Sequence, residues 1–289
     1  MTLFTSHRAP RAARLAATVV ALVGLLAGAA AVPASATPAA GHPSAGQKVK
    51  YVALGDSYAY GFGAVHGSES YPALLDDRRD VVLTADLSRV GATTTDVVSS
   101  LNSARGALKH ADLVTLSVGA NDVDVTGLAA ACSPDPRSVA CAATFARVSA
   151  LLQPGSSLLP SLVRTIDGVR RAAPNAQIVV TGYPLLADPT FGLPQSPEVN
   201  ALAQQINAAT VALNSTIAAA VAAVQGTGGN VLFVDVVPQF VGHGIGSADP
   251  WIHFGNVVSY HPTAAGYRAY AAAITAAVDV TRLRYAAAA

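Results

Sequence analysis

Apolar residues gather along this chain in short runs bounded by turn residues, at 49–54, 81–83, 113–118, 178–181 and 231–236, and longer stretches of helical spacing lie between them. Short runs without polar alternation predict strands buried on both faces, and the intervening helices then act as crossovers. The pattern predicts α/β architecture: a five-stranded parallel sheet between helical layers, a three-layer α/β/α sandwich. The clearest helix spans 199–224. There Val199, Leu202, Ile206, Leu213, Ile217, Val221 and Val224 recur on one face, and Gly226, Gly228 and Gly229 end it. A second helix is predicted at 158–173, with Pro160 near its first turn and Pro174 beyond its end, and a third at 263–278, with Thr263 as its cap. Segments 132–153 and 185–197 read as long connections, the kind that shape a substrate cleft in a compact α/β domain.

The front of the chain has a different pattern. Arg8, Arg11 and Arg14 precede an apolar stretch at 15–32, and Ala34-Ser35-Ala36 follows with small residues where a signal peptidase reads. We expect a signal peptide at 1–36 cleaved before Thr37, a flexible Pro/Ala/Gly leader at 37–47, one domain at 48–285 and a frayed tail at 286–289. An uncleaved anchor is the alternative. No Arg-Arg pair marks twin-arginine export, and neither cysteine lies near this segment to take a lipid. The mature protein is therefore expected outside the cell, without a stable membrane anchor and as a monomer.

Composition changes this picture little. Hydrophobic residues make up 52% of the 289, with a mean hydropathy of +0.41, but much of the excess is alanine. A net charge of +1 and only 12% charged residues leave no basic face for nucleic acid. Cys132 and Cys141 are the only cysteines, and in an oxidising compartment a pair this close in sequence points to a disulfide. Such a bond would pin an insertion after a strand.

Candidate chemistry clusters just after the predicted strands. Ser57 lies in Gly55-Asp56-Ser57-Tyr58-Ala59-Tyr60-Gly61, directly after the first run; Gly91 follows the second, Gly119-Ala120-Asn121-Asp122 the third, and Ser259-Tyr260-His261-Pro262 comes in the loop after the fifth. In a doubly wound sheet of flavodoxin-like order 2-1-3-4-5, all the strand carboxyl ends share one edge. Ser57 and Asn121 would face each other at the switch point. A serine hydroxyl needs an adjacent base to become nucleophilic at neutral pH, and imidazole has a suitable pKa. Asp56 and Asp122 read as organisers of turn hydrogen bonds. Trp251 is equally a packing anchor or a substrate contact, and His66 and His110 read as surface residues. His243 and His253 are too few for a metal site without a carboxylate at ligand spacing, so no metal and no cofactor is expected.

These blocks, in this order, resemble the SGNH or GDSL hydrolase superfamily and, within it, secreted actinobacterial esterases and lipases. Gly55-Asp56-Ser57 matches the first block, Gly91 the second, Gly119-Ala120-Asn121-Asp122 the third and His261-Pro262 the last. The resemblance implies that Ser57 attacks an ester carbonyl, that His261 removes its proton, and that the Ser57 and Gly91 N–H groups with the Asn121 amide hold the oxyanion. Many members carry an acid three residues before the histidine; here that position is Val258. Two accounts stay open: the carbonyl of Val258 or a neighbour orients His261, or Asp249 or Asp235 reaches in. The implied substrate is a small-molecule or lipid ester. Phe62, Leu185, Leu186, Phe191 and Leu193 tilt the reading toward lipid or aryl esters. A Gly-x-Ser-x-Gly elbow is absent, because Ala59 occupies its last position, and no Gly-Lys-Ser/Thr follows the glycines to bind phosphate. A binding protein that has lost turnover on this fold, or an acyltransferase, are the other readings.

Overall fold

A computed structural model describes residues 47–132, 135–189 and 196–288. The signal segment, all of the leader but Gln47, and Phe191 and Leu193 lie outside the described residues. In chain order the elements are β1 (Val49–Gly55), α1 (Ser57–Tyr60), α2 (Tyr71–Asp76), β2 (Val81–Asp86), α3 (Thr94–Leu108), β3 (Leu113–Ser117), α4 (Val125–Cys132) and α5 (Val139–Leu152). There follow α6 (Leu158–Ala172), β4 (Gln177–Thr181), α7 (Pro197–Gln225), β5 (Val231–Val234), a 3-10 turn (Val237–Phe240), α8 (Ala264–Ala277) and α9 (Val280–Ala288).

The five strands pair in parallel, as the run pattern predicts, and their order β2-β1-β3-β4-β5 is the flavodoxin-like one expected for the fold class. β1 and β3 are central, and every residue of β1 except Lys50 is buried. Only an apolar strand can be flanked on both sides and covered on both faces. Helices α3, α6 and α7 pack together on one side of the sheet, while α2 and α8 meet on the other, with α9 against β1. β2 is an edge strand and runs three residues beyond its apolar start. Its Thr84 is exposed and its Asp86 only half-buried, so polar residues there hide the end of the strand.

Two segments differ from the sequence expectation. The presumed connection 132–153 is mostly helix α5. Ser138 caps it, accepting the Cys141 N–H at 3.1 Å, and Cys141, Thr144 and Val148 form its buried stripe. That stripe contains a threonine and a cysteine, while Val139 points into solvent, so the apolar periodicity is weak. Ala286 to Ala288, read as a tail, form the end of α9. Alanine has the highest helix propensity, and the helix is anchored by buried Leu283 and by Arg284, which bonds the Gln47 carbonyl and Asp80.

A disulfide joins Cys132 to Cys141 and ties the end of α4 to the start of α5. Both helices form an insertion between β3 and α6. Helix α7 is long and apolar enough to cross a membrane by length and composition alone. Its buried Leu213, Ile217, Val221 and Val224 recur at helical spacing and face α6 and β5, the pattern of a helix covering a sheet.

At the carboxyl edge, Gly55 of β1 lies opposite Ser117 of β3. A side chain at Gly55 would place its Cβ 2.3 Å from the Ser117 carbonyl oxygen, and the backbone has φ 134, so only glycine permits the approach. This close contact fixes where the chain leaves β1.

Candidate active site

Ser57 is the first residue of α1, and the Asp56 side chain caps that turn by accepting the Tyr58 N–H at 3.0 Å. Asp56 also accepts the Ser117 hydroxyl at 2.8 Å and the Tyr183 hydroxyl. Burial pushes its carboxyl up to about 6, against the pull of Tyr183, the Tyr58 N–H and Ser117 toward the ordinary range. Asp56 is thus a turn organiser, as expected, and it also ties together the ends of β1, β3 and β4. Asp122 has a similar role: it accepts the Thr94 N–H and hydroxyl, joining the third motif block to the start of α3.

His261 comes at the end of a loop closed by an antiparallel bridge between Ile252 and Pro262, with α8 starting just beyond under a Thr263 cap. Its Nε2 is 2.8 Å from the Ser57 hydroxyl oxygen, across 204 residues of sequence. Its Nδ1 faces the carbonyls of Ser259 at 3.0 Å and Val258 at 3.3 Å. Carbonyls only accept, so Nδ1 carries the proton and the Nε2 lone pair is directed at the serine O–H. Burial lowers the His261 pKa; the two carbonyl bonds raise it, and neighbouring His253 lowers it further.

Ser259, nearer than the expected Val258, supplies the shorter carbonyl contact. The two acids considered as alternatives point elsewhere. Asp249 accepts the Trp251 indole N–H at 3.0 Å, and Asp235 accepts the Val237 N–H at 3.0 Å. Trp251 stacks on His243 and meets Phe240 edge-on, which makes it a packing anchor. His253 points its Nε2 at the Gly63 carbonyl, 2.8 Å away. His66 is exposed and stacks on Tyr60; His110 is exposed as well. Among the described residues, no group of three or more His, Cys, Asp or Glu is arranged to hold a metal ion.

Gly91 has a left-handed backbone, φ 78, in the turn after β2, and the Arg89 N–H bonds the Gly55 carbonyl at 2.9 Å to hold that turn against the end of β1. The Asn121 amide donates one hydrogen to the Ala92 carbonyl at 3.0 Å, which fixes its plane and leaves its second N–H to point elsewhere. Ser57, Gly91, Asn121 and His261 all line one cleft of about 810 Å3. The convergence expected from strand order is present.

A family model described as GDSL-like lipase/acylhydrolase matches residues 53–269. This chain belongs to the GDSL-like lipase/acylhydrolase family. Its relatives include a lipase of Streptomyces rimosus, 33% identical over 243 residues that cover 76% of this chain and 83% of that protein. Lipase 1 of Streptomyces coelicolor is 34% identical over 241 residues, 75% of this chain and 81% of that protein. Among solved structures, the extracellular lipase of Streptomyces rimosus matches with a TM-score of 0.70 at 31% identity, covering 80% of this chain and all (100%) of that one. Phospholipase A1 of Streptomyces albidoflavus NA297 matches with a TM-score of 0.66 at 30% identity, covering 80% and 100%. With relatives named lipases both by sequence and by structure, this GDSL-like acylhydrolase is a carboxylic ester hydrolase.

Of the apolar residues proposed for the acylhydrolase cleft, Phe62 and Leu186 line it and Leu185 does not. The sequence reading missed Tyr183 and Phe254 to Val257, and did not place Leu213 at the cleft; all of these form its walls. Tyr183 carries the one signal that pattern reasoning could have used: it stands two residues past β4, at the same edge as the other site residues.

Proposed function

We propose that this chain is a secreted serine esterase or lipase that hydrolyses carboxylic esters through an acyl-enzyme on Ser57. One observation carries the reading: a serine hydroxyl 2.8 Å from a histidine nitrogen whose opposite nitrogen is held by backbone carbonyls. Ser57 Oγ attacks the ester carbonyl carbon while its proton passes to His261 Nε2. The oxyanion is received by the Ser57 and Gly91 N–H groups and the Asn121 amide. His261 then gives the proton to the departing alcohol oxygen, and the C–O bond breaks to leave Ser57 acylated. A water, deprotonated by the same nitrogen, attacks the acyl carbon and releases the acid with Ser57 restored. Ser259 and Val258 orient the ring and fix its tautomer without a formal charge, so the pair works as a dyad.

The cleft walls Phe62, Val125, Leu186 and Leu213 favour a lipid or aryl ester with an acyl chain. Secretion is supported by the signal pattern at 1–36, by the Cys132–Cys141 bond and by the likeness to an extracellular lipase. The enzyme acts as a monomer without cofactor.

Hydrolysis of nitrophenyl esters across a chain-length series, then of phospholipid and acetylated xylan, tests the reading. Release of nitrophenol from wild type, none from Ser57→Ala, and a preference beyond acetate are expected. Turnover that survives Ser57→Ala would remove the nucleophile. An ester consumed only when an acceptor alcohol is present would make the enzyme a transferase.

A further inference from the structure

Tyr260, immediately before the histidine, has a left-handed backbone with φ 69, shared among the described non-glycine residues only with Asp124 at φ 58. That conformation is strained for an aromatic residue and persists only where its surroundings hold it. Both backbone groups of Tyr260 are held. Its N–H donates to the His253 carbonyl at 2.8 Å, and its carbonyl accepts the Tyr58 hydroxyl at 2.7 Å.

The strained torsion bears directly on the base. Rotation about φ of Tyr260 turns the Ser259–Tyr260 peptide relative to His261, and the Ser259 carbonyl in that peptide is the nearer acceptor of Nδ1, at 3.0 Å. Relaxing φ to a negative value swings this carbonyl away from the ring. The left-handed turn and the orientation of His261 are therefore coupled.

Tyr58 follows Ser57 on α1, so its hydroxyl is carried by the element that carries the nucleophile. Its ring is fixed edge-on to Tyr183, with centroids 5.0 Å apart, and tilted against His261 at 5.5 Å. The His253 contact to Gly63 and the Tyr267 hydroxyl, which donates to the Phe62 carbonyl at 2.9 Å, also brace the nucleophile turn. Neither touches the Tyr260 carbonyl.

We propose that Tyr58 is a positioning residue for the general base: by donating to the Tyr260 carbonyl, it holds the left-handed turn that aims His261 at Ser57. The proposal rests on the reading of Ser57 as nucleophile and His261 as base. The titratable groups around His261 are His253 in its own loop, Tyr58 against its ring, and Asp56 behind Tyr58. Burial raises the Tyr58 phenol, which stays neutral in the working range, so Tyr58→Phe removes no charge from the site.

A double-mutant cycle on a soluble short-chain nitrophenyl ester tests the proposal, with kcat, KM and the pH profile as readouts. Tyr58→Phe keeps the ring and removes the donor, and is expected to lower kcat about tenfold with KM changed less than about twofold. The acid limb of kcat/KM moves to lower pH, because weakening the carbonyl bonds to Nδ1 disfavours the imidazolium. In a Tyr260→Asn background, where the left-handed backbone costs less, the loss shrinks to about threefold or less. Tyr260→Val keeps Tyr58 intact and serves where Tyr58→Phe accumulates too little folded protein; its β-branched side chain opposes the turn, and it should lower kcat and shift the limb the same way. An unshifted acid limb in the variant tested, or an equal loss in both backgrounds, overturns the proposal. Ser57→Ala separates the two levels of the reading: if it retains turnover, the ester-hydrolase mechanism itself fails; if it is dead while Tyr58→Phe behaves as wild type, only the role of Tyr58 fails.

Discussion

A serine hydroxyl is a weak nucleophile near neutral pH, so the site depends on what surrounds Ser57, and each neighbour has a measurable consequence. Asn121→Ala removes one of the proposed oxyanion donors and should lower kcat by about a hundredfold or more, a loss of roughly 2.7 to 4 kcal/mol, with the fold intact by circular dichroism. Unchanged turnover would take Asn121 out of the site. His261 is lowered by burial and lacks an anionic partner, so kcat/KM should fall with acid only at or below the free-histidine value of 6.5. An acid limb well above that value would mean that a carboxylate reaches the ring. Asp56 shifts the opposite way for its class. Its folded pKa of about 6 exceeds the ordinary 3.8, so the folded state binds the proton more tightly and stability rises as pH falls through that window. The gain amounts to at most about 3 kcal/mol and should be absent from Asp56→Asn. Denaturant midpoints of wild type and Asp56→Asn from pH 4 to 7 measure it, and Asp122, raised for the same reason, contributes with the same sign. At this scale the sequence was legible where chemistry dictates residue type: Ser57, Gly91, Asn121 and His261 all meet in one cleft. The role of Tyr58 was not legible, because its partner is a backbone carbonyl 202 positions away and no side-chain identity reports it.

Elements were readable in proportion to how fully they are buried. Strands β1, β3 and β4 are apolar because they are covered on both faces, and their runs stood out. Edge strand β2 and helix α5 are half-covered, and their short or mixed stripes blurred one boundary and hid one helix. The insertion formed by α4 and α5 matters beyond topology, since Val125 and Ala130 of α4 line the cleft. Replacing Cys132 and Cys141 with alanine should cost about 2 to 3 kcal/mol, read as a lower thermal midpoint. Hydrolysis of long-chain esters should fall more than that of acetate, because α4 is a wall of the cleft and carries none of the reacting groups. Equal losses on both substrates would assign the bond to stability alone.

The architecture of the whole molecule explains why residues separated by up to 204 positions act together. A parallel sheet delivers every strand's carboxyl end to one edge, and order 2-1-3-4-5 sets the first and third strands side by side there. Gly55 packs against Ser117 where those strands end, bringing the Ser57 turn beside the Asn121 turn. The cleft at that edge is walled largely by apolar side chains, with Asp56 and His261 among its polar lining. The central claim, that Ser57 is activated by His261, is tested most directly by labelling with a fluorophosphonate and locating the adduct by peptide mass spectrometry. We predict stoichiometric modification of Ser57 in wild type, none in Ser57→Ala, and labelling slowed by at least about a hundredfold in His261→Ala. Modification at another serine, or labelling of His261→Ala at the wild-type rate, would contradict it.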